Sequence, residues 1–281
     1  MNALLKPHDY AQTEAIPPAA QAYRLEALRR GEGVDGVELG YGDDLYQRIA
    51  LFVPPKPNGT VLMYMHGGGW VSGFKEMLAF MAPQFMAAGV IFASAGYRLA
   101  PAHVFPAGYE DACSAFAWIH ANIGHHGGDT QRLFVGGHSS GGHYASLMAV
   151  RKDWQARHGV PVDAVRGCLA VSSVFDLTTE GGLSQRPRFL GEPGSGSERE
   201  ASPILNIEGT PPPFLIAHGS DDFPHLVRQA ARMEAALHAA GGMAERMVLP
   251  GCTHFEASLA TAEPASGWPS SSLAFMDACS R

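Results

Sequence analysis

Charge is scarce in this sequence. Only 17% of its 281 residues are Asp, Glu, Lys or Arg, while 46% are apolar. That balance excludes a disordered tail or a long solvated coil and supplies a sizeable core. Basic clusters are lacking as well. The formal net charge is −7 and no Lys/Arg block stands out, so neither nucleic acid nor an anionic membrane surface is an expected partner. Cysteine is rare. The four residues Cys113, Cys168, Cys252 and Cys279 stand far apart and form no CxxC pair. They read as reduced thiols of a reducing, cytoplasmic compartment rather than as a disulfide framework. No run of about 18 apolar residues is present to span a membrane. The opening MNALLKPHDYAQTEAIPPAA lacks the apolar segment of a secretory signal.

What is present is a regular alternation. AAQAYRLEALRR, residues 19–30, has apolar positions at helical spacing. VELGYGDDLYQRIALFVP reads as two alternating strands around a Gly-Asp-Asp turn. From residue 60 onward the apolar runs become near-continuous, as in TVLMYMHG and GVIFASAGY, the mark of parallel strands covered on both faces. Helical stretches follow: EMLAFMAPQFMAAG despite its Pro83, then GYEDACSAFAWIHANI. RLFVGGH is read as strand, GGHYASLMAVRKDWQARHG as one helix, and VRGCLAVSS as strand. PFLIAHGS, PHLVRQAARMEAALHAAGG and AERMVLPG complete the series as strand, helix and strand. This order predicts a doubly wound, mostly parallel sheet with helices on both faces. Residues 177–212, with EPGSGSERE and TPPP, interrupt the alternation. They form an insertion rather than a domain boundary, because the strands on either side belong to one sheet.

Gly137-His138-Ser139-Ser140-Gly141 fits G-x-S-x-G between a predicted strand and a predicted helix. That is the context in which a sharp turn exposes a nucleophilic serine. The centre of the pattern is Ser139, and the backbone N–H of Ser140 falls where an oxyanion would be held. A phosphate-binding loop does not fit, because the spacing is wrong and no Lys follows. Upstream, His66-Gly67-Gly68-Gly69-Trp70 follows an apolar strand. Its turn offers the N–H groups of Gly68 and Gly69 as further oxyanion donors. A serine needs a base, and the base needs a carboxylate to orient it. After Ser139, SDDF places Asp221 and Asp222 past one predicted strand, and CTHFE places His254 past the next. Either aspartate could instead cap the helix that begins at Pro224. Trp70, Phe74 and Met77 are read as candidates for a substrate pocket. His138 and His143 are expected to pack or hydrogen-bond around the serine, and Asp111 and Asp176 to act as structural anchors. His125, His126 and Asp129 have no zinc-like spacing.

These motifs resemble those of α/β-hydrolases. HGGGW, YRLAP, FPAGYEDA and GHSSGGHYA are similar to hormone-sensitive-lipase-like carboxylesterases. GHSSGGH, VSSVFDL, GSDDFPHLVRQ and THFE are similar to kynurenine formamidases (arylformamidases). The similarity runs from about residue 45 to about residue 258. It implies one α/β-hydrolase domain over residues 1–281, with residues 1–33 as a small N-terminal cap and 177–212 as an insertion near the active site. It also places the acid at Asp222, with Asp221 as the fallback. Two departures stand out. Only about 33 residues precede the first strand, fewer than a full lipase-type cap, and His225 stands where the formamidase run has Glu. The expectation is a serine hydrolase with Ser139, His254 and Asp222 as triad and Gly68, Gly69 and Ser140 as oxyanion donors. It needs neither metal nor organic cofactor. The substrate would be a small carboxylic ester or, alternatively, an aryl formamide such as N-formylkynurenine. A binding module without catalysis is the remaining alternative, and a homodimer is compatible with the reading.

Overall fold

The computed structural model describes residues 4–10, 16–181, 186–192 and 195–280. Parts of the expected cap and of the 177–212 insertion thus lie outside the described residues. Eight strands form one sheet: β1 (Val37–Gly40), β2 (Arg48–Phe52), β3 (Val61–Met65), β4 (Ile91–Ala95), β5 (Leu133–His138), β6 (Val165–Val171), β7 (Phe214–Gly219) and β8 (Ala244–Leu249). Their order is β1-β2-β4-β3-β5-β6-β7-β8. The first two pairings are antiparallel and the other five parallel. This is the mostly parallel, doubly wound sheet predicted by the alternation, in the α/β-hydrolase arrangement that the resemblance implies.

The helices are α1 (Pro18–Arg30), α2 (Ala82–Ala87), α3 (Ala107–Asn122), α4 (Ser140–Val150) and α5 (Trp154–His158). Then come α6 (Arg186–Leu190), α7 (Ser197–Glu200), α8 (Pro224–Ala239), α9 (His254–Ala260) and α10 (Trp268–Cys279). Strand residues alternate between two cores. Val61, Met63 and Met65 of β3 join Phe116, Met148 and Met233 from α3, α4 and α8. Leu62 and Tyr64 face the other way, toward Tyr23, Phe85, Ala257 and Trp268 from α1, α2, α9 and α10. Every β3 residue is buried, which explains why its sequence is apolar throughout instead of alternating. Among the described residues no helix is long and apolar enough to cross a membrane.

Two segments differ from the sequence reading. EMLAFMAPQFMAAG is not one helix: Lys75–Met81 forms a 3-10 helix and α2 begins at Ala82. Pro83 sits in the first turn of α2, where its missing N–H leaves no intrahelical bond unmade. The helix expected from Gly141 to Gly159 breaks at Arg151, whose backbone is extended. The Trp154 indole N–H turns back to the Met148 carbonyl at 3.0 Å, satisfying one of the acceptors that a helix end leaves open. Arg151 forks onto the Asp153 carboxylate at 2.9 and 2.7 Å. Helices α9 and α10 had no counterpart in the sequence reading.

The topology also fixes where a site can form. The chain leaves β3 for β4 on one side and then crosses to β5 on the other. The connections therefore diverge between β3 and β5 and leave a crevice at their carboxyl ends. The turns after β3 and β5 carry Gly67–Gly69 and Ser139, and those after β7 and β8 lead to Asp222 and His254.

Candidate active site

Ser139 stands between β5 and α4 with φ 55° and ψ −119°. This backbone is strained for a residue with a side chain. Its N–H is held by the Val171 carbonyl and its own carbonyl by the His143 N–H, both at 2.9 Å. The surrounding glycines are required by contact. A Cβ on Gly141 would lie 2.2 Å from the Met65 carbonyl oxygen, and one on Gly137 would lie 2.3 Å from the Gly141 backbone. Helix α4 thus lies directly against β3 and β5.

His254 is the first residue of α9, and Thr253 and Glu256 close a capping box around that helix start. Its Nδ1–H donates to Asp222 Oδ1 at 2.9 Å, and its Nε2 accepts the Ser139 hydroxyl at 3.0 Å. A carboxylate only accepts, so the tautomer follows from the pairing. The turns that carry acid and base are laced together. The Asp221 N–H donates to the Cys252 carbonyl at 3.0 Å and the Ser220 N–H to the Leu249 carbonyl at 3.0 Å. Burial pushes the Asp222 carboxyl up, but the hydrogen bond and charge of His254, with Ser172 and the Phe223 N–H, outweigh it and hold its pKa at about 2. Asp221 is exposed and takes the neighbouring Ser220 hydroxyl at 3.1 Å. Of the two aspartates left open by the sequence, Asp222 is the one in contact with His254.

His138 and His143 do hydrogen-bond around the serine. His138 Nε2–H donates to the His254 carbonyl at 2.9 Å, and burial followed by the nearby His254 presses its pKa down to about 3. His143 bridges Trp70 and Ala201. Asp111 accepts from Arg98 and Gln47, and Asp176 from Thr178 and Arg232. Both are anchors outside the Ser139–His254–Asp222 chain.

The turn after β3 has left-handed backbone at three successive residues: Gly68 (φ 136°), Gly69 (φ 61°) and Trp70 (φ 64°). A Cβ on Gly68 would meet the Ser72 carbonyl oxygen at 2.0 Å. The Gly68 carbonyl receives the N–H groups of Val71 and Ser72. Ser140 opens α4, so its N–H has no acceptor within that helix.

These elements border one cavity of about 480 Å³, lined by Gly67–Gly69, Ser139 and His254. Trp70 and Met77 line it, whereas Phe74 does not. Phe74 is a correction to the sequence reading. It is buried against Tyr10, stacked with ring centroids 4.9 Å apart, and the Arg24 guanidinium lies over its ring 5.5 Å from the centroid. Extended and immediately ahead of the 3-10 segment, it belongs to the core. Besides His225, the wall also includes residues that the sequence reading did not single out: Ile16, Pro17, Tyr23 and Arg24 from the N-terminal segment, Arg188 from the insertion expected near the site, and Phe223 and Phe255 beside the acid and base. No local sequence signal marks these residues, since they meet only after folding.

The sheet order and the turns at its carboxyl edge define an α/β-hydrolase. The chain belongs to the BD-FAE family, whose profile matches residues 49–237. It is 30% identical to Esterase LipC of Mycobacterium tuberculosis, over 90% of this chain and 68% of that protein. A probable isoprenylcysteine α-carbonyl methylesterase of Arabidopsis thaliana is 25% identical over 76% of this chain. The chain spans about half the length of that relative and of Esterase LipQ from Mycobacterium tuberculosis. Among solved structures, a bacterial heroin esterase superposes with a TM-score of 0.76 at 26% identity, covering 94% of this chain and 90% of that one.

Proposed function

We propose that this chain is a serine hydrolase that cleaves small carboxylic esters through a Ser139–His254–Asp222 triad and an acyl-enzyme. The observation that carries this reading is the continuous hydrogen-bonded chain from the Asp222 carboxylate through His254 to the Ser139 hydroxyl, at 2.9 and 3.0 Å, on the wall of the cavity. The esterase names of its relatives support the bond type.

Ser139 Oγ attacks the carbonyl carbon of the ester while His254 Nε2 takes its proton. Asp222 fixes the imidazole tautomer and stabilises the imidazolium that forms. The tetrahedral oxyanion is received by the N–H groups of Gly68, Gly69 and Ser140, each worth roughly 3–4 kcal/mol in the transition state. Collapse of the intermediate expels the alcohol, which takes the proton from His254. Water, deprotonated by the same imidazole, then attacks the acyl-enzyme and releases the acid. The groups this route uses all belong to the chain itself. Helix α1 serves as the small cap, and the insertion contributes Arg188 to the cavity wall. The aromatic and aliphatic walls at Tyr23, Trp70, Met77 and Phe255 suit a short acyl or alkyl group.

Two measurements test this. A fluorophosphonate should label Ser139, and p-nitrophenyl acetate or butyrate should be turned over. Ser139→Ala should abolish both in a folded protein. Absence of label on the folded native chain overturns the proposal. Faster cleavage of N-formylkynurenine than of the esters would move the substrate class to formamides at the same site.

A further inference from the structure

Trp70 and His143 are unused by the steps above, yet they sit at opposite ends of one hydrogen bond behind the cavity. The Trp70 indole N–H donates to His143 Nδ1 at 3.1 Å, and His143 Nε2 lies 2.6 Å from the Ala201 carbonyl oxygen. Both side chains are buried, at 3% and 0% exposure. An indole N–H only donates and a carbonyl only accepts. The imidazole between them must therefore be neutral, with its proton on Nε2. Burial agrees with this, holding the His143 pKa down to about 4.

The chain starts at a strained residue. Trp70 has φ 64° and directly follows Gly68 and Gly69. An aromatic residue adopts that backbone only where its surroundings impose it. Three contacts do so. Its carbonyl takes the Ala100 N–H at 2.9 Å, its ring stacks on Phe189 at 4.2 Å, and its N–H is held by His143. Phe189 belongs to α6 and also meets the His143 ring edge-on at 5.7 Å. Two of these three contacts thus lead into the segment between β6 and β7, through Phe189 and Ala201.

We infer that Trp70 and His143 are positioning residues, and that the chain Trp70–His143–Ala201 ties the turn at Gly68 and Gly69 to the 177–212 segment in the shape that receives the oxyanion. This inference rests on the proposed oxyanion role of Gly68 and Gly69. The insertion is then more than a wall of the pocket: its Ala201 carbonyl and Phe189 ring set the turn that does the stabilising.

The test compares Trp70→Phe, His143→Asn and His143→Gln with the native chain on p-nitrophenyl acetate, all well below their unfolding midpoints. Phe keeps the ring and loses the donor. Asn keeps an acceptor near the Nδ1 position, and Gln keeps a donor near the Nε2 position. Trp70→Phe and His143→Gln should lower kcat about 10- to 100-fold with KM within about twofold. His143→Asn, which keeps the acceptor for Trp70 but loses the donor to Ala201, should lower kcat as well, because either break frees the turn from the insertion. Affinity for an alkyl trifluoromethyl ketone, which presents an oxyanion once Ser139 adds to it, should fall by the same factor as kcat. A merely structural role would not couple those two quantities. The inference is overturned if Trp70→Phe or His143→Asn keeps kcat within twofold, or if the loss lies in KM alone. Should His143→Gln not fold, Trp70→Phe and His143→Asn decide between them, since each breaks one of the two links. If the native chain fails to hydrolyse the ester, it is the proposed function that falls; native turnover with unaffected variants removes only this inference.

Discussion

An imidazole held between a carboxylate and a hydroxyl has its protons assigned by its neighbours. For His254 that assignment depends on Asp222, because an amide at the same place could donate as well as accept. Asp222→Asn should therefore lower kcat by about 10⁴ while leaving the fold intact, since the imidazole can settle in the wrong tautomer. Asp221→Asn should leave kcat within about twofold, because the Asp221 carboxylate is exposed and takes only the Ser220 hydroxyl among the described residues. Steady-state kinetics on one p-nitrophenyl ester checks both, and equal losses would reassign the acid. At this scale the sequence was most informative where chemistry leaves few choices. A serine between glycines after a strand, and an Asp and a His past later strands, are legible because strand ends on one edge must converge. Tyr23, Arg24 and Phe255 were illegible for the opposite reason: they enter the cavity wall from α1 and α9, and nothing in the local pattern of either points to a distant site. Phe74 was misplaced because its distance in sequence from HGGGW could not reveal that the 3-10 segment turns it toward Tyr10.

Helix α4 is the element that makes the turn at Ser139 tight, and it does so by approaching β3 without side chains in between. Gly141→Ala would place a methyl group 2.2 Å from the Met65 carbonyl oxygen and 2.4 Å from that of His66. Neither neighbour is a flexible side chain, so the helix has to move. The expected cost is about 3 kcal/mol of stability, with at least about a 100-fold loss of activity as Ser139 shifts. Gly124→Ala provides the contrast, with no heavy atom within 4 Å of the added carbon; its stability should stay within about 0.5 kcal/mol. Urea unfolding of the two variants decides, and an unchanged midpoint for Gly141→Ala would refute the contact argument. The elements that the sequence rendered well are those whose apolar runs are continuous, such as β3, β4 and β5, all fully buried. It failed where a tertiary contact overrides the local pattern. The break after Val150 depends on Trp154 reaching back to Met148, and no periodicity announces it. Helices α9 and α10 were missed because they lie beyond the last strand, where the β–α alternation no longer guides the reading.

At the scale of the whole molecule, the histidines that surround the site make it sensitive to acid. His66, His138 and His143 are buried, and burial, joined at His138 by the nearby His254, lowers their pKa values to about 4, 3 and 4. Unfolding returns each to about 6.5. Below that value the unfolded chain binds protons that the folded chain does not, so the folded state loses ground. The sign follows: stability is fully present above about pH 6.5 and is lost as pH falls toward about 4. Three such protons give a steepest slope of about 4 kcal/mol per pH unit. Glu76 works against it by at most one proton, since burial raises its carboxyl pKa. Asp222, held at about 2, adds to the loss only below the ordinary aspartate range near pH 4. Down to about pH 4 the three imidazoles together remove about 10 kcal/mol at most, enough to exhaust a net stability in the lower part of the usual range of about 5–15 kcal/mol. Urea midpoints at pH 7, 6 and 5 should fall at each step, with proton uptake on unfolding of two to three per molecule at pH 5. A midpoint that is flat between pH 7 and 5 would show that these imidazoles gain no protons on unfolding. The same three rings would then have to be charged in the folded state, which is incompatible with His143 accepting the Trp70 N–H.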